Sequence, residues 1–162
     1  MKEERYFYVP NADRNNELPP EEATHALRVL RLQSGDDMFL MDGRGNFYHA
    51  EVSLATHKKC LYHIKETLPQ QKTWRGHIHL AIAPTKHIDR MEWLVEKATE
   101  VGFDEITFLH CAFSERKTLR TDRIEKIVIS AAKQSRKPWI PMVNELESFK
   151  TFIQQPREGR KF

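Results

Sequence analysis

Arg28, Arg31 and Arg44 stand near short predicted strands and turns in the first half of the 162-residue chain. Lys86, Arg90, Arg116, Lys117, Arg136 and Lys137 fall near predicted element ends in the second. An arginine at such a place can fork onto a phosphate or stack on a base, and single-stranded RNA is held in both ways. Any one of these cations alone reads as a solvated surface charge. Their recurrence at loop positions expected on one sheet edge is what points to an anionic partner. Tyr6, Phe7, Tyr8, Phe47 and Tyr48 offer ring faces to bases, although more of that set reads as core.

Other chemistries find less support. The apolar run 78–83 leads into Pro84-Thr85-Lys86-His87, which is neither a dinucleotide fingerprint nor a P-loop. None of the eight histidines pairs at metal-ligand spacing on a helix; His77 and His79 alternate along a strand and read as exposed strand residues. There is no nucleophile elbow, and Ser114 and Ser135 have no histidine base nearby in sequence. Cys60 and Cys111 lie far apart with no metal spacing, as separate reduced thiols of a cytoplasmic protein do. No apolar run approaches membrane-spanning length, and the N-terminus lacks the apolar core of a signal peptide. A net charge of +3 allows an anionic partner without demanding one.

The elements that must position these groups follow from periodicity. Run 78–83 reads as a buried strand, and run 105–111 as a second. Between them Met91, Leu94, Val95, Ala98 and Val101 make one helical stripe, with Asp89 as a capping residue, Glu92 as its capping-box partner and Gly102 at the left-handed end. Such a strand-helix-strand unit places parallel strands side by side, and open α/β sheets bind ligands at the carboxyl ends of those strands. Here those ends are the loops 84–88 and 112–118, and both are basic. Thr121 is placed to cap a further helix carrying Ile124, Ile127, Val128, Ala131 and Ala132. A Pro-interrupted extended piece (139–143) and a last helix (147–155) with Phe149, Phe152 and Ile153 buried complete the pattern.

Upstream, 5–9 reads as a strand, 21–30 as a helix, and 38–41 and 47–54 as a hairpin joined by Asp42-Gly43-Arg44-Gly45-Asn46. With 60–67 as another strand, the spacing suggests a small β-barrel. The polar stretch 70–76 marks a boundary. The expected architecture is two-domain α+β: a barrel at 1–70, a linker at 71–76 and an α/β region at 77–162.

Short motifs in constant order give the chain a family likeness. Arg5-x-Phe7, His25-x-x-Arg28-Val29-Leu30-Arg31, Gly35-Asp36 and Asp42-Gly43-x-Gly45 are followed by Lys86, Arg90-Met91-Glu92 and Glu96-Lys97-x-x-Glu100-x-Gly102. Ser114-Glu115-Arg116 and Ala131-Ala132-Lys133-Gln134-Ser135 with Pro141 complete the set. In these the chain resembles the RsmE family of ribosomal RNA methyltransferases, which methylate N3 of a uridine in small-subunit (16S) rRNA. The resemblance implies a PUA-like RNA-binding β-barrel followed by a SPOUT-type α/β domain, S-adenosylmethionine as cofactor, rRNA or the small ribosomal subunit as partner, and pairing into a homodimer. Where family members often have Gly-Arg after Gln-Ser, this chain has Arg136-Lys137. The family's Gly-Pro-Glu-Gly, Leu-Gly and Leu-Arg-x-Glu-Thr-Ala segments, which form the knot and cofactor pocket, are absent from these 162 residues. The resemblance therefore implies the first two thirds of such an enzyme, with a partial SPOUT-type domain and no cofactor-binding residue assignable. A non-catalytic RNA-binding protein is the alternative.

Within that likeness, Arg116 is the candidate for stabilising charge on the uracil oxygens or for a backbone phosphate. Glu115 is a candidate acceptor of the N3 proton, or a plain ion-pair partner of Arg116 or Lys117. Arg5, Arg28, Arg31, Arg44, Lys86, Arg90, Arg136 and Lys137 are the candidate RNA contacts.

Overall fold

A computed structural model describes residues 5–162. They form two compact units: residues up to Arg75 together with Ala132–Ile140, and Gly76–Ala131 together with Pro141–Phe162.

In the first unit a four-stranded sheet runs β1 (Tyr6–Tyr8), β2 (Asp37–Met41), β3 (Asn46–Ala55), β4 (Cys60–Pro69). β1 is parallel to β2 and the other pairs are antiparallel. Between β1 and β2 lies α1 (Pro20–Thr24), started by a proline whose missing N–H has no partner to lose there, and continued by a π-helical turn His25–Val29. Phe7, Met38, Leu40, Ala50, Val52 and Tyr62 alternate inward and meet Ala23 and Ala26 of the helical segment in one core. Two irregularities in the β3–β4 register, at His49/Ala50 and Val52/Leu54, bend that long pair over the core.

The β2–β3 turn is built around a buried carboxylate. Asp42 is 3% exposed and accepts hydrogen bonds from the Arg44 and Asn46 backbone N–H groups (2.8 and 3.1 Å), the Asn46 amide (2.7 Å) and the Tyr48 hydroxyl (3.3 Å). Burial, reinforced by the Asp42 charge, pushes the Tyr48 phenol up to about 12. Gly45 has φ 103°, and a Cβ there would collide with the Trp139 ring. The Gly45 N–H donates to Pro138 O at 2.9 Å, and the Ile140 N–H to Gly43 O at 2.9 Å. Trp139 and Ile140 thus find their apolar cover on the hairpin. That is why Ala132–Ile140 clusters with the first unit, whereas the sequence pattern puts all of 77–162 in the second domain.

The second unit holds a parallel sheet, β5 (His79–Ile82), β6 (Glu105–His110), β7 (Met142–Ser148), with β6 central. Helices α2 (Ile88–Val101) and α3 (Thr121–Gln134) make the crossovers. Met91 and Val95 of α2, Ile124 and Val128 of α3, and Ile106 and Phe108 of β6 are each no more than 1% exposed. Burying side chains of this size stabilises the unit by roughly 1.5–3 kcal/mol apiece before entropy is charged against it.

Several local expectations give way here. α2 starts at Ile88, with His87 at the cap and no side-chain cap bond; Asp89 lies inside the first turn. Glu92 does not reach back but binds Arg123 of α3, at 2.6 Å from Nε and 2.9 Å from Nη2. An ionised guanidinium is a stronger partner for a carboxylate than a neutral backbone N–H. Gly102 has positive φ (119°), but its ψ of 127° is not that of a left-handed helical residue. The third strand, Met142–Ser148, lies further along than the predicted extended piece, and the last helix, α4 (Phe149–Gln154), begins only after it. Its cap is Ser148, whose Oγ accepts the Thr151 N–H at 3.0 Å. No residue of α4 is buried; Phe149 and Ile153 are about half exposed, against the expected buried face.

Candidate RNA-binding cleft

The loops after β5 and β6 meet at the carboxyl ends of the parallel strands. Arg116 ties them: its Nε–H donates to Thr85 O at 3.2 Å and its Nη2–H to Lys86 O at 2.6 Å. The second loop opens with a closed turn in which the Ser114 N–H donates to Cys111 O (3.0 Å) and the Cys111 N–H to Ser114 Oγ (2.9 Å). Between the loops lies a cavity of about 620 Å³, bounded by Ala83, Pro84, Lys86, Phe113, Glu115 and Phe149 among others. That volume lies in the range of small-ligand sites. Lys86 and Glu115 stand on the rim with Nζ and Oε2 4.0 Å apart, both well exposed, so their pairing is weak and easily exchanged for a ligand.

The sequence-predicted site residues separate into three groups. Arg116, Lys86 and Glu115 come together at the cleft, and Arg90 is exposed in the first turn of α2. In the first unit Arg28 is exposed and lines a second cavity of about 520 Å³ with Leu27, Leu32, Gln33, Thr56 and His57. Arg31 is exposed nearby in sequence, at φ 53°. The remaining arginines hold the first unit's own backbone or rings. Arg5 donates to Leu30 O (3.3 Å), Arg44 donates to Pro10 O (2.7 Å), and Arg136 lies over the Tyr6 ring at 5.3 Å. Lys137 is half-buried, and its N–H closes the end of α3 on Ala132 O at 2.8 Å.

A polar layer occupies the other end of the parallel sheet. Arg157 Nη1 donates to His79 Nδ1 at 2.9 Å, which fixes the imidazole proton on Nε2, where it reaches Thr107 Oγ1 at 2.8 Å. Asn144 bonds both Thr107 Oγ1 (2.9 Å) and Glu105 (2.6 Å), and His77 bonds Glu105 at 2.9 Å. Burial lowers the His79 pKa from its ordinary 6.5; Glu105 opposes the shift and the Arg157 charge adds to it. Burial alone would raise Glu105, but bonds from His77 and Asn144 and the nearby imidazoles bring its carboxyl below the usual range. The expectation of two exposed strand histidines thus fails at His79, whose side chain is 15% exposed. No group of three or more His, Cys, Asp or Glu side chains among the described residues is arranged for a metal ion. No helix among them is long and apolar enough to cross a membrane.

Phe113 and Phe149 escape the sequence reading. The only trace of Phe113 is an aromatic inside the otherwise polar stretch 112–118, and Phe149 has the spacing of an ordinary buried helix residue.

A sheet unit with exposed arginines, and a parallel α/β unit with a cleft at the carboxyl ends of its strands, define a two-part α/β protein suited to an anionic ligand. A family model described as the RNA methyltransferase domain matches residues 72–162, and one described as the RNA methyltransferase PUA domain matches residues 18–64. The chain belongs to this family of RNA methyltransferases, in its RsmE branch. The ribosomal RNA small subunit methyltransferase E of Synechocystis is 31% identical over 133 residues, covering 79% of this chain and 42% of its own. The protein of that name from Bacillus subtilis is 24% identical, covering 98% of this chain and 66% of its own. The chain therefore spans between two fifths and two thirds of these relatives' length. Among solved structures, a probable rRNA-methyltransferase from Porphyromonas gingivalis is 42% identical with TM-score 0.87, covering 94% of this chain and 64% of that one. A Legionella pneumophila methyltransferase solved with bound SAM is 25% identical with TM-score 0.86, covering 96% of this chain and 68% of that one.

Proposed function

We propose that the chain serves S-adenosylmethionine-dependent methylation of N3 of a uridine in 16S rRNA, with the cleft between the 84–88 and 112–118 loops on the RNA side of the reaction. The observation that carries this is the Arg116 tie, which preorganises both loops inside the part of the chain matched by the methyltransferase model. Preorganised donors stabilise developing charge without reorganising at the moment of reaction.

N3 of uracil carries a proton and takes part in base pairing, so the base must leave its helix and lose that proton before N3 attacks. The Nη1 edge of Arg116, which has no bond to the described residues, is free to face a uracil oxygen or a phosphate. Glu115, well exposed at the rim beside Lys86, is a carboxylate lining the cleft that could take the proton. S-adenosylmethionine supplies the methyl group in this reading. One carboxylate and one ammonium on apolar walls do not by themselves read both ends of that cofactor, so its assignment rests on the family and on relatives solved with it. Arg28, Arg31, Lys86 and Arg90 are proposed to contact RNA; a homodimer and a cytoplasmic site of action belong to the same reading.

Incubation with 16S rRNA and methyl-labelled S-adenosylmethionine, followed by reverse transcription, tests it. A methyl on N3 blocks the pairing edge, so transcription should arrest beside one uridine. Label on another base or atom contradicts the proposal. RNA binding with no transfer would favour a non-catalytic RNA-binding chain.

A further inference from the structure

The closed turn after β6 displays an aromatic ring in the open. Phe113 is 99% exposed, while the two bonds between Cys111 and Ser114 lock the backbone on either side of it. Single exposed hydrophobic residues are commonplace and usually mean nothing. This one differs in its setting. It borders the 620 Å³ cavity, the loop facing it is pinned through Arg116, and a second half-exposed ring, Phe149, borders the same cavity. The rigid turn removes much of the ordering cost that a mobile loop would charge against a ligand.

An aromatic face beside an ammonium group recognises a nucleotide: the base stacks on the ring and the phosphate meets the cation. Here the cation is Lys86, whose side chain is 71% exposed on the rim. The positive charge of the chain favours a nucleic acid over an apolar protein knob as the occupant. We propose that Phe113 is the stacking platform for the unpaired target uridine, with Phe149 bordering the same cavity and Lys86 taking the phosphate; this rests on the RNA reading above. Phe113 is thereby a substrate-positioning residue, and its ring selects for a flat base without reading its edge.

Fluorescence anisotropy with heptauridine, and with the same RNA carrying one abasic position at its centre, tests this on the 162-residue chain. Wild type should prefer the intact RNA, and Phe113→Ala should erase that preference, with about a tenfold loss for intact RNA. Phe113→Trp should retain affinity, and its indole emission should be quenched by intact RNA and much less by the abasic one. Equal affinity for both RNAs in wild type and variant, or an indole indifferent to the base, overturns the platform while leaving RNA binding intact. Failure of wild type to bind either RNA overturns the RNA reading and the platform together. The exposed position makes folding of both variants insensitive to the change, which a thermal melt verifies.

Discussion

Asp42 in the β2–β3 turn and Ser114 in the turn after β6 both hold a loop by accepting backbone N–H groups, yet the two turns serve opposite ends. Around Asp42 two backbone donors, an amide and a phenol converge on one carboxylate, and Trp139 closes over Gly45. Around Ser114 a single hydroxyl closes the turn, and Phe113, Glu115 and Lys86 are left in solvent beside a cavity. A motif rich in glycine and aspartate is thus explained by the fold alone, whereas the plainer stretch 111–116 carries the groups that folding does not use. Surplus after structural needs are met, rather than motif strength, marks a candidate site.

The largest effect expected from this contrast is in the first turn. Gly45→Val places a branched side chain at positive φ against Trp139 and should cost about 3 kcal/mol in urea unfolding. Stability within about 1 kcal/mol of wild type would mean that the turn is not packed as described. In the second turn the ranking reverses: Arg116→Ala unties two exposed loops, so it should leave stability nearly unchanged and weaken single-stranded RNA binding by about tenfold, read by anisotropy. A large stability loss with unchanged affinity would make Arg116 a structural strut like Asp42.

Smaller effects sharpen the picture elsewhere. Removing Arg28 and Arg31 together should flatten the salt dependence of RNA binding by about 1.4 in log–log slope if both neutralise phosphates of a single strand. An unchanged slope removes them from the interface. At the polar layer, His79 has a folded pKa below its unfolded 6.5, so its contribution is full above that pH and is lost as pH falls toward the folded value. The melting temperature should therefore drop between about pH 7.5 and 5.5, and drop less in His79→Gln; equal drops would exclude His79 as the cause. Arg136 holds φ 53° at the place where the resemblance leads one to expect glycine. Arg136→Gly relieves about 1 kcal/mol of left-handed strain and loses the Tyr6 contact, so the net change should stay within about 1 kcal/mol.

What was legible in the sequence follows the range of the interactions. The apolar stripes of α2 and α3 and the Asp-Gly-x-Gly hairpin are local signals, and all appear in the structure except at the end of α2, where Val101 of the expected stripe is 81% exposed. β7 was not legible as a strand because Asn144-Glu145-Leu146-Glu147-Ser148 shows no apolar alternation; an edge strand can be polar where its neighbour cannot. The capping box failed because Glu92 answers to Arg123, 31 residues away. The same distance hid the most informative contact, Arg116 on the carbonyls of Thr85 and Lys86. Sequence placed both loops at the ligand-binding end of the sheet, but only tertiary structure shows that one fastens the other.

The most direct test of the cleft is photocrosslinking of 4-thiouridine-substituted single-stranded rRNA to the chain, with adducts mapped by mass spectrometry. The expected adducts lie on the peptides containing 83–87 and 111–116, Phe113 foremost. RNA that binds but crosslinks only outside both loops would contradict the assignment of the cleft.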